Sequence, residues 1–300
     1  MFLKRAHTTG AGSLNKAKIK DYAQFTKLRL ASLVVFSASL SYLLAIGSAP
    51  IDWLKLILLT TGGFLVTGAA NGLNQVLERH HDGVMKRTED RPLPAGRMTV
   101  TEGLIVASVM GVVGIWLLWY FLNPLSGVLG ALAVFLYAGV YTPLKRVTPF
   151  AVFVGAFPGA IPPMLGYIAE TGQFGLMAGL LFAVQFIWQF PHFWAIAWKL
   201  HDDYAKAGFS LLPSSGGKDK SSAFQALVYT LFLLPISLLP ILLNGNGYIA
   251  TGMVLLSGIW FLWKAVKLFT SCSDAAATKL MFASFVYLPI VQIAYLIHLI

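Results

Sequence analysis

The chain contains little cysteine and little charge. Of its 300 residues only one is cysteine, Cys272, which excludes an intrachain disulfide and a C-x-x-C metal or haem-attachment site. Charged residues make up 11% of the chain, below the roughly 25% that is usual in soluble domains, and hydrophobic residues make up 57%. This composition excludes an ordinary soluble globule, a disordered chain and a collagen-like fibre, and it indicates an integral membrane protein.

Acidic residues are also scarce: 12 Asp and Glu stand against 22 Lys and Arg, a formal net charge of +10. In a membrane protein such an excess is typical of cytoplasmic loops that set topology, so we expect no nucleic-acid partner. Residues 1–29 are basic and lack an apolar core, which argues against a secretory signal. A mitochondrial presequence stays open as an alternative, because the first twenty residues lack acids.

Long uncharged stretches give the number of membrane spans, since a helix needs about 20 apolar residues to cross a bilayer. The stretches are Leu30–Ile51, Leu56–Leu77, Gly103–Leu144, Val147–Ala169, Thr171–Trp198, Ser221–Trp263 and Leu280–Ile300. Two have double length and contain turn sequences, Asn123-Pro124 and Asn244-Gly245-Asn246-Gly247. Splitting them predicts nine transmembrane helices.

The charges support this count. With the N-terminus in the cytoplasm, every Lys and Arg except Lys55 falls on the cytoplasmic side. We therefore predict an all-α integral membrane protein, with nine helices around a central cavity, a cytoplasmic N-terminus and the lipid bilayer as its surroundings. Residues 1–300 are predicted to form a single domain, with residues 1–22 as a basic cytoplasmic tail.

Two segments concentrate the acidic residues. In the first, Asn74, Glu78 and Asp82 are spaced i, i+4 and i+8, so they share one face of a helix. Oxygen ligands of this kind suit Mg²⁺, which usually binds one or two carboxylates together with substrate phosphates. Arginine matches phosphate geometry with two parallel donors. Three arginines follow the acidic face directly: Arg87, Arg91 and Arg97.

The second acidic segment also leaves an apolar helix on the cytoplasmic side. Lys199 and Asp203 lie one turn apart, and His192 lies two turns before Lys199 on roughly the same face. A third element adds Lys145 and Arg146 as further cations for phosphate. Each element alone also fits a solvated helix end or topological positive charge, and those interpretations stay open at this point.

Together the elements indicate a reaction class. A metal-bound diphosphate beside a large apolar cavity suits an isoprenyl diphosphate, whose leaving group gains charge as the allylic chain becomes a cation. Aromatic faces could shield that cation. Four aromatic residues near the second segment are candidates, with membrane packing as the alternative explanation for each: Trp188, Phe193, Trp194 and Trp198.

These motifs resemble those of the UbiA superfamily of membrane prenyltransferases. The finer similarity is to its protohaem IX farnesyltransferase branch, whose first motif resembles Asn74-Gln75…Glu78…Asp82…Met85-x-Arg87-Thr88-x-x-Arg91-Pro92-Leu93-Pro94-x-Gly96. Its second motif resembles Pro191-His192-Phe193…Trp198…Asp203-Tyr204…Gly208…Leu212-Pro213. Two shorter elements are also similar, Phe25-Thr26-Lys27-x-Arg29 and the segment from Tyr141 to Gly166. The resemblance covers about residues 22–215.

Departures from the pattern help to choose between branches. Glu78 replaces the central Asp of the general superfamily, and Lys199 stands where a D-x-x-x-D pattern would begin. Both features are similar to the haem branch. Leu28 stands where Pro is expected, Phe150-Ala151 replaces a polar pair, and Ser210-Leu211 stands where Met is common. These last three departures bear only on fine details of the substrate.

The resemblance implies transfer of farnesyl from farnesyl diphosphate to a vinyl group of haem b, with addition of water, which gives haem O and diphosphate. It implies Mg²⁺ as the cofactor, with Asn74, Glu78, Asp82 and Asp203 as metal-binding and catalytic residues. Diphosphate would be bound by Arg87, Arg91, Lys145, Arg146 and Lys199. His192 is the candidate haem ligand, with an ordinary hydrogen-bonded helix histidine as the alternative. Lys27 and Arg29 are expected to anchor the first helix, with contact to the haem propionates as the alternative.

Other functions are weighed against this one. The alternative of the same class is a UbiA-type aromatic prenyltransferase of quinone biosynthesis. A transporter is disfavoured because the carboxylates lie at helix ends rather than near the midplane, and a structural scaffold is the remaining class. The expected location is a bacterial cytoplasmic (inner) membrane, ahead of the mitochondrial inner membrane. The resemblance also suggests haem A synthase or terminal oxidase assembly as partners.

Overall fold

The computed structural model describes residues 11–245 and 247–299, and within these ranges the chain forms helices and connecting segments without any strand. The helices are α1 (Ala11–Phe25), α2 (Leu28–Ile46), α3 (Trp53–Asp82), α4 (Val100–Leu117), α5 (Pro124–Val134), α6 (Thr142–Leu144), α7 (Ala151–Thr171), α8 (Leu176–Lys199), α9 (His201–Lys206), α10 (Lys220–Leu242), α11 (Tyr248–Ser271) and α12 (Asp274–Leu299). The predicted all-α fold is confirmed. Residues 1–10 of the predicted tail lie outside the described residues.

Nine segments of the described chain are long and apolar enough to cross a membrane, as predicted. The third and fourth spans, Val100–Leu122 and Pro124–Leu144, each include a π-helical stretch, Leu118–Leu122 after α4 and Phe135–Tyr141 between α5 and α6. The predicted break between these spans is confirmed, because the Asn123 side chain accepts the Ser126 N–H and caps α5. At the second predicted break α10 ends at Leu242 and α11 begins at Tyr248, while Asn246 lies outside the described residues.

The spans pack into a closed bundle. α2 packs against α3 and α7, α8 packs against α7, α10 and α12, and α12 returns to α2. Gln292 Nε2 on α12 donates a hydrogen bond of 2.5 Å to Ser37 Oγ on α2, and both side chains are buried. Helices satisfy their own backbone groups, so only a few such polar side chains need partners within the bundle.

One end of the bundle carries the functional segments and is called the charged face. It consists of the connections at residues 83–99, 145–150, 200–219 and 272–273, which alternate with short connections at the opposite end. Helix α1 is fastened to the charged face, since Arg97 Nε lies 2.8 Å from Asp21 Oδ1 and Lys18 Nζ lies 3.0 Å from Glu102 Oε1. Both acidic segments therefore meet at one face, as predicted from the assignment of both helix ends to one side of the membrane.

Candidate active site

The first acidic segment is the end of α3, a helix of 30 residues that finishes at the charged face. Asn74, Glu78 and Asp82 share one side of its last turns, as predicted, and all three are buried, with exposed fractions of 1%, 3% and 0%. Buried carboxylates are costly unless they are paired with cations or bound to metal. The burial argues against the interpretation of this segment as a solvated helix end.

Each of these three side chains contacts a cation from a different part of the chain. Lys27 Nζ, between α1 and α2, donates to Asn74 Oδ1 at 3.2 Å. Lys145 Nζ, directly after α6, lies 2.5 Å from Glu78 Oε1. Arg91 Nη1, in the segment after α3, lies 2.6 Å from Asp82 Oδ2. We call the three cations, Lys27, Arg91 and Lys145, the cation triplet.

Lys27 occupies a break between α1 and α2, where its φ of 51° puts the backbone in the left-handed region. Two side chains of α3 hold this break: Gln75 Nε2 donates to Phe25 O at 2.7 Å, and Asn71 Nδ2 donates to Thr26 O at 3.2 Å. Burial and the neighbouring Arg91 and Lys145 lower the pKa of Lys27 to about 7. The ammonium group of Lys27 therefore points into the site, and its expected roles, helix anchor or contact with haem propionates, stay predictions.

Lys145 is the most enclosed cation of the site. Its Nζ lies 4.8 Å from the centre of the Tyr141 ring and 5.7 Å from that of Phe209. Burial lowers its pKa, and the adjacent Glu78 carboxylate opposes that effect. The next residue, Arg146, is exposed and donates to Leu77 O at 2.8 Å. Two adjacent predicted diphosphate residues thus have different surroundings.

The second acidic segment follows α8, where the short helix α9 carries Asp202 and Asp203. Asp203 accepts the backbone N–H of Lys86 at 3.0 Å and that of Arg87 at 3.3 Å, so its carboxylate joins the two acidic segments. A cavity of about 350 Å³ lies at this junction. It is lined by Lys86, Arg87, Lys199, Leu200, Asp202, Asp203 and Lys206.

The donor set at the end of α3 fits Mg²⁺. Among the residues that the structure describes, no group of three His, Cys, Asp or Glu is close enough to hold a metal alone. Mg²⁺ commonly binds one or two carboxylates and takes its remaining ligands from substrate phosphates and water. Asp82 Oδ1 is buried and has no hydrogen-bond partner in the described part of the chain, so an oxygen is available for such an ion. The assignment of Asn74, Glu78, Asp82 and Asp203 as metal ligands stays a prediction.

His192 lies inside α8 and is buried with 7% exposure. Its Nδ1 lies 2.7 Å from Ser284 Oγ on α12, and the ring stacks on Trp188 at 4.5 Å between centroids. Ser284 Oγ donates its proton to Met281 O at 2.6 Å, so it accepts from His192 Nδ1–H. This tautomer leaves Nε2 with a free lone pair, which keeps both predicted roles of the histidine open.

The aromatic candidates near His192 differ in exposure. Trp188, Trp194 and Trp198 are buried, whereas Phe193 is partly exposed. Trp188 Nε1 donates to Ser284 O at 2.9 Å, and Trp198 Nε1 has no hydrogen-bond partner among the described residues. All four rings belong to or pack against one hydrophobic cluster, which supports a packing role for each.

Comparison with known proteins agrees with this geometry. Residues 34–287 match the model of the UbiA prenyltransferase family. The chain is 46% identical to a protein of Cytophaga hutchinsonii named protoheme IX farnesyltransferase, over 94% of this chain and 98% of that protein. It is 47% identical to a Flavobacterium johnsoniae protein of the same name, over 94% of this chain and 95% of that protein.

Solved structures show the same fold. A digeranylgeranylglyceryl phosphate synthase superposes with a TM-score of 0.77 at 19% identity, over 94% of this chain and 98% of that one. A UbiA homologue from Archaeoglobus fulgidus bound to GPP and Mg²⁺ superposes with a TM-score of 0.63 at 12% identity, over 92% of this chain and 99% of that one. The chain therefore belongs to the UbiA prenyltransferase family and, within it, to the group of protoheme IX farnesyltransferases.

Proposed function

We propose that the charged face binds farnesyl diphosphate and that the protein transfers the farnesyl group to a vinyl group of haem b. The C1–O bond of farnesyl diphosphate breaks with its electron pair going to diphosphate. The vinyl carbon then bonds to farnesyl C1, and water adds its oxygen to the resulting cation and releases a proton. The products are haem O and diphosphate. The observation that carries the proposal is the buried row of Asn74, Glu78 and Asp82, contacted along its length by the cation triplet.

Some of the charged side chains would bind the metal ion and others would bind the diphosphate. Asn74, Glu78 and Asp82 would hold Mg²⁺, and Asp203 would hold a second ion or orient the first. When bound, the ion neutralises charge that grows on the leaving diphosphate. The residues that would bind the diphosphate oxygens are Arg87, Arg91, Lys145 and Lys199, of which Arg87 and Lys199 line the cavity at the junction of the two acidic segments. Arg146, which was predicted with them, would contribute little, because its guanidinium group is exposed and donates to Leu77 O.

The haem would lie farther into the bundle. His192 is the residue that we propose as its axial ligand, because Nε2 keeps its lone pair when Nδ1–H is donated to Ser284. The rings of Trp188 and Phe193 flank this histidine. They can exclude water from the farnesyl cation and stabilise its charge until the vinyl group reacts.

Haem is favoured over the aromatic acceptor of a quinone enzyme. The two relatives reported above are both named protoheme IX farnesyltransferase. The residues Glu78 and Lys199 fit the same branch of the superfamily. Membership of a prenyltransferase family disfavours the transporter and the structural scaffold.

We also propose the protein's setting. The N-terminus and the charged face lie in the cytoplasm, and the membrane is a bacterial inner membrane. Residues 1–300 act as one domain, and the basic segment 1–22 includes most of helix α1, which is fastened to the charged face. Haem O would pass to a terminal oxidase, directly or after conversion by a haem A synthase.

A product assay tests the proposal. Purified protein in detergent is incubated with haem b, farnesyl diphosphate and Mg²⁺, and the haem is analysed by chromatography and mass spectrometry. The expected product is heavier than haem b by one farnesyl group and one water. Unmodified haem from folded protein would contradict the acceptor, and assays with hydroxybenzoate and dihydroxynaphthoate would then test the quinone alternative.

A further inference from the structure

The position of Lys27 is not explained by the predicted set of diphosphate residues. Its ammonium group has three N–H donors, and within the described chain its only hydrogen bond goes to the amide oxygen Asn74 Oδ1. An amide oxygen carries no formal charge. The nearby carboxylates of Glu78 and Asp82 are already paired with Lys145 and Arg91. Lys27 is only partly buried, and an anion from outside the chain could therefore reach the two N–H donors that remain.

The backbone around Lys27 is held in an unusual conformation. A left-handed φ of 51° is unfavourable for a lysine, and such a conformation persists only where the surroundings hold it. The surroundings are Asn71, which donates to Thr26 O, and Gln75, which donates to Phe25 O, and both lie on the helix that carries Asn74. The clamp therefore fixes the direction of the Lys27 side chain relative to the acidic row.

The charges of the cluster also call for an anion. With both lysines protonated, the cation triplet contributes three positive charges and Glu78 with Asp82 contributes two negative charges, which leaves an excess of one positive charge. Binding of a divalent cation alone would increase that excess. Binding of the same cation with a diphosphate would offset it, because a diphosphate brings several negative charges.

The contacts observed also compete with metal ligation. A metal on Glu78 Oε1 would repel the Lys145 ammonium, which lies 2.5 Å from that oxygen, and a metal on Asn74 Oδ1 would likewise repel Lys27. A displaced cation keeps its charge and its donors, and it remains next to the ion. Oxygens of a diphosphate bound beside the ion would then offer acceptors to both cations.

We propose that Lys27 is a further diphosphate-binding residue, and that the cation triplet passes from the oxygens of α3 to the diphosphate as the metal takes those oxygens. This inference rests on the proposed function of the same site. The inference predicts that metal and diphosphate bind cooperatively. The diphosphate would offset the positive charge that repels the metal, and the metal would release the cations that bind the diphosphate.

The test uses Lys27→Gly, because glycine adopts a φ of 51° without steric cost and removes the ammonium group. Arg29→Gln is the matched control, since Arg29 is an exposed cation two residues farther along. Binding of inorganic diphosphate is measured by calorimetry in the presence of Mg²⁺. Binding of Mn²⁺ is measured by electron paramagnetic resonance with and without diphosphate.

In the wild-type protein we expect diphosphate to increase Mn²⁺ affinity at least about tenfold. Lys27→Gly should weaken diphosphate binding about tenfold and reduce this coupling, while Mn²⁺ alone binds as well as before or more tightly. Lys27→Arg should keep most of the affinity, and Arg29→Gln should change it less than about twofold.

Two outcomes would overturn the inference. Unchanged diphosphate affinity in Lys27→Gly would remove Lys27 from the site. Loss of diphosphate and Mn²⁺ binding together with a lower melting temperature would show that the residue is structural only. If the wild-type protein itself binds no diphosphate with Mg²⁺, the proposed function fails, and this result is distinct from a failure of the Lys27 variant alone.

Discussion

The ends of α3 and α8 both bring acidic side chains to the charged face, yet their carboxylates have different partners. At the end of α3, Glu78 and Asp82 are buried and paired with side-chain cations from other segments. After α8, Asp203 is partly exposed and accepts backbone N–H groups, and Asp202 is exposed. Under the proposed function the first arrangement provides charge for a ligand. The contacts of Asp203 in the second arrangement also hold the loop that carries Arg87.

The largest effect is expected at the buried end. Asp82→Asn removes one carboxylate charge and leaves Arg91 without its partner, so turnover should fall about 100-fold or more. The measurement is haem O formation at saturating substrates and Mg²⁺. Glu89→Gln is the control, because Glu89 is an exposed carboxylate of the following segment. Turnover of Asp82→Asn close to that of the wild-type protein would remove Asp82 from the site.

The adjacent cations Lys145 and Arg146 allow a second test, which compares the contribution of a buried and an exposed charge to diphosphate binding. Lys145→Gln should weaken diphosphate binding about 30-fold, since loss of one member of a buried charge pair typically costs at least about 2 kcal/mol. Arg146→Gln should change it about twofold or less, because the guanidinium group is exposed and bonds a backbone carbonyl. Calorimetry with inorganic diphosphate and Mg²⁺ gives both values. Equal losses would contradict the distinction.

The role of the second acidic segment is tested by its two neighbouring aspartates. Asp203→Asn weakens the acceptor of two backbone N–H groups, so kcat/KM for farnesyl diphosphate should fall about tenfold. Asp202→Asn, at an exposed carboxylate of the same helix, should stay within about twofold. A large rise in the Mg²⁺ concentration needed by Asp203→Asn would instead favour metal binding by Asp203.

The smallest effect is expected for substitution of His192, which lies inside α8. His192→Ala should weaken haem binding severalfold and shift the Soret band, if Nε2 is the axial ligand. Ser284→Ala is the control, since it removes the hydrogen bond to Nδ1 and leaves the ring in place. Titration of purified protein with haem, followed by absorbance, gives both readouts. An unchanged spectrum and affinity in His192→Ala would exclude the histidine as a ligand.

Much of this architecture was predictable from local features of the sequence. The nine spans follow from uncharged stretches of sufficient length, and Asn123 before Pro124 marks a helix start that the structure contains. The shared face of Asn74, Glu78 and Asp82 follows from helical periodicity. The prenyltransferase family and its haem branch were predicted from the motifs, and both are confirmed by the comparisons.

The position of Lys27 could not be predicted in the same way. A lysine that precedes an apolar helix is typical of a residue that anchors the helix at the membrane surface. The neighbouring sequence does not show that Asn71 and Gln75 bind the backbone between α1 and α2. The motif Phe25-Thr26-Lys27 was the only signal, and it does not state a direction for the side chain. The contact between Asp203 and the backbone of Lys86 and Arg87 was equally hidden, because it joins residues more than 100 positions apart.

Composition and motif spacing were thus enough to establish a membrane bundle with an oxygen-rich helix end and nearby cations, because hydrophobic length and helical periodicity are local properties of the chain. Which cation meets which oxygen was settled by the packing of α1, α3 and α6 and of the segments that follow them. Such pairings depend on distances between segments far apart in sequence, and burial then decides which charges must be neutralised and which stay in water.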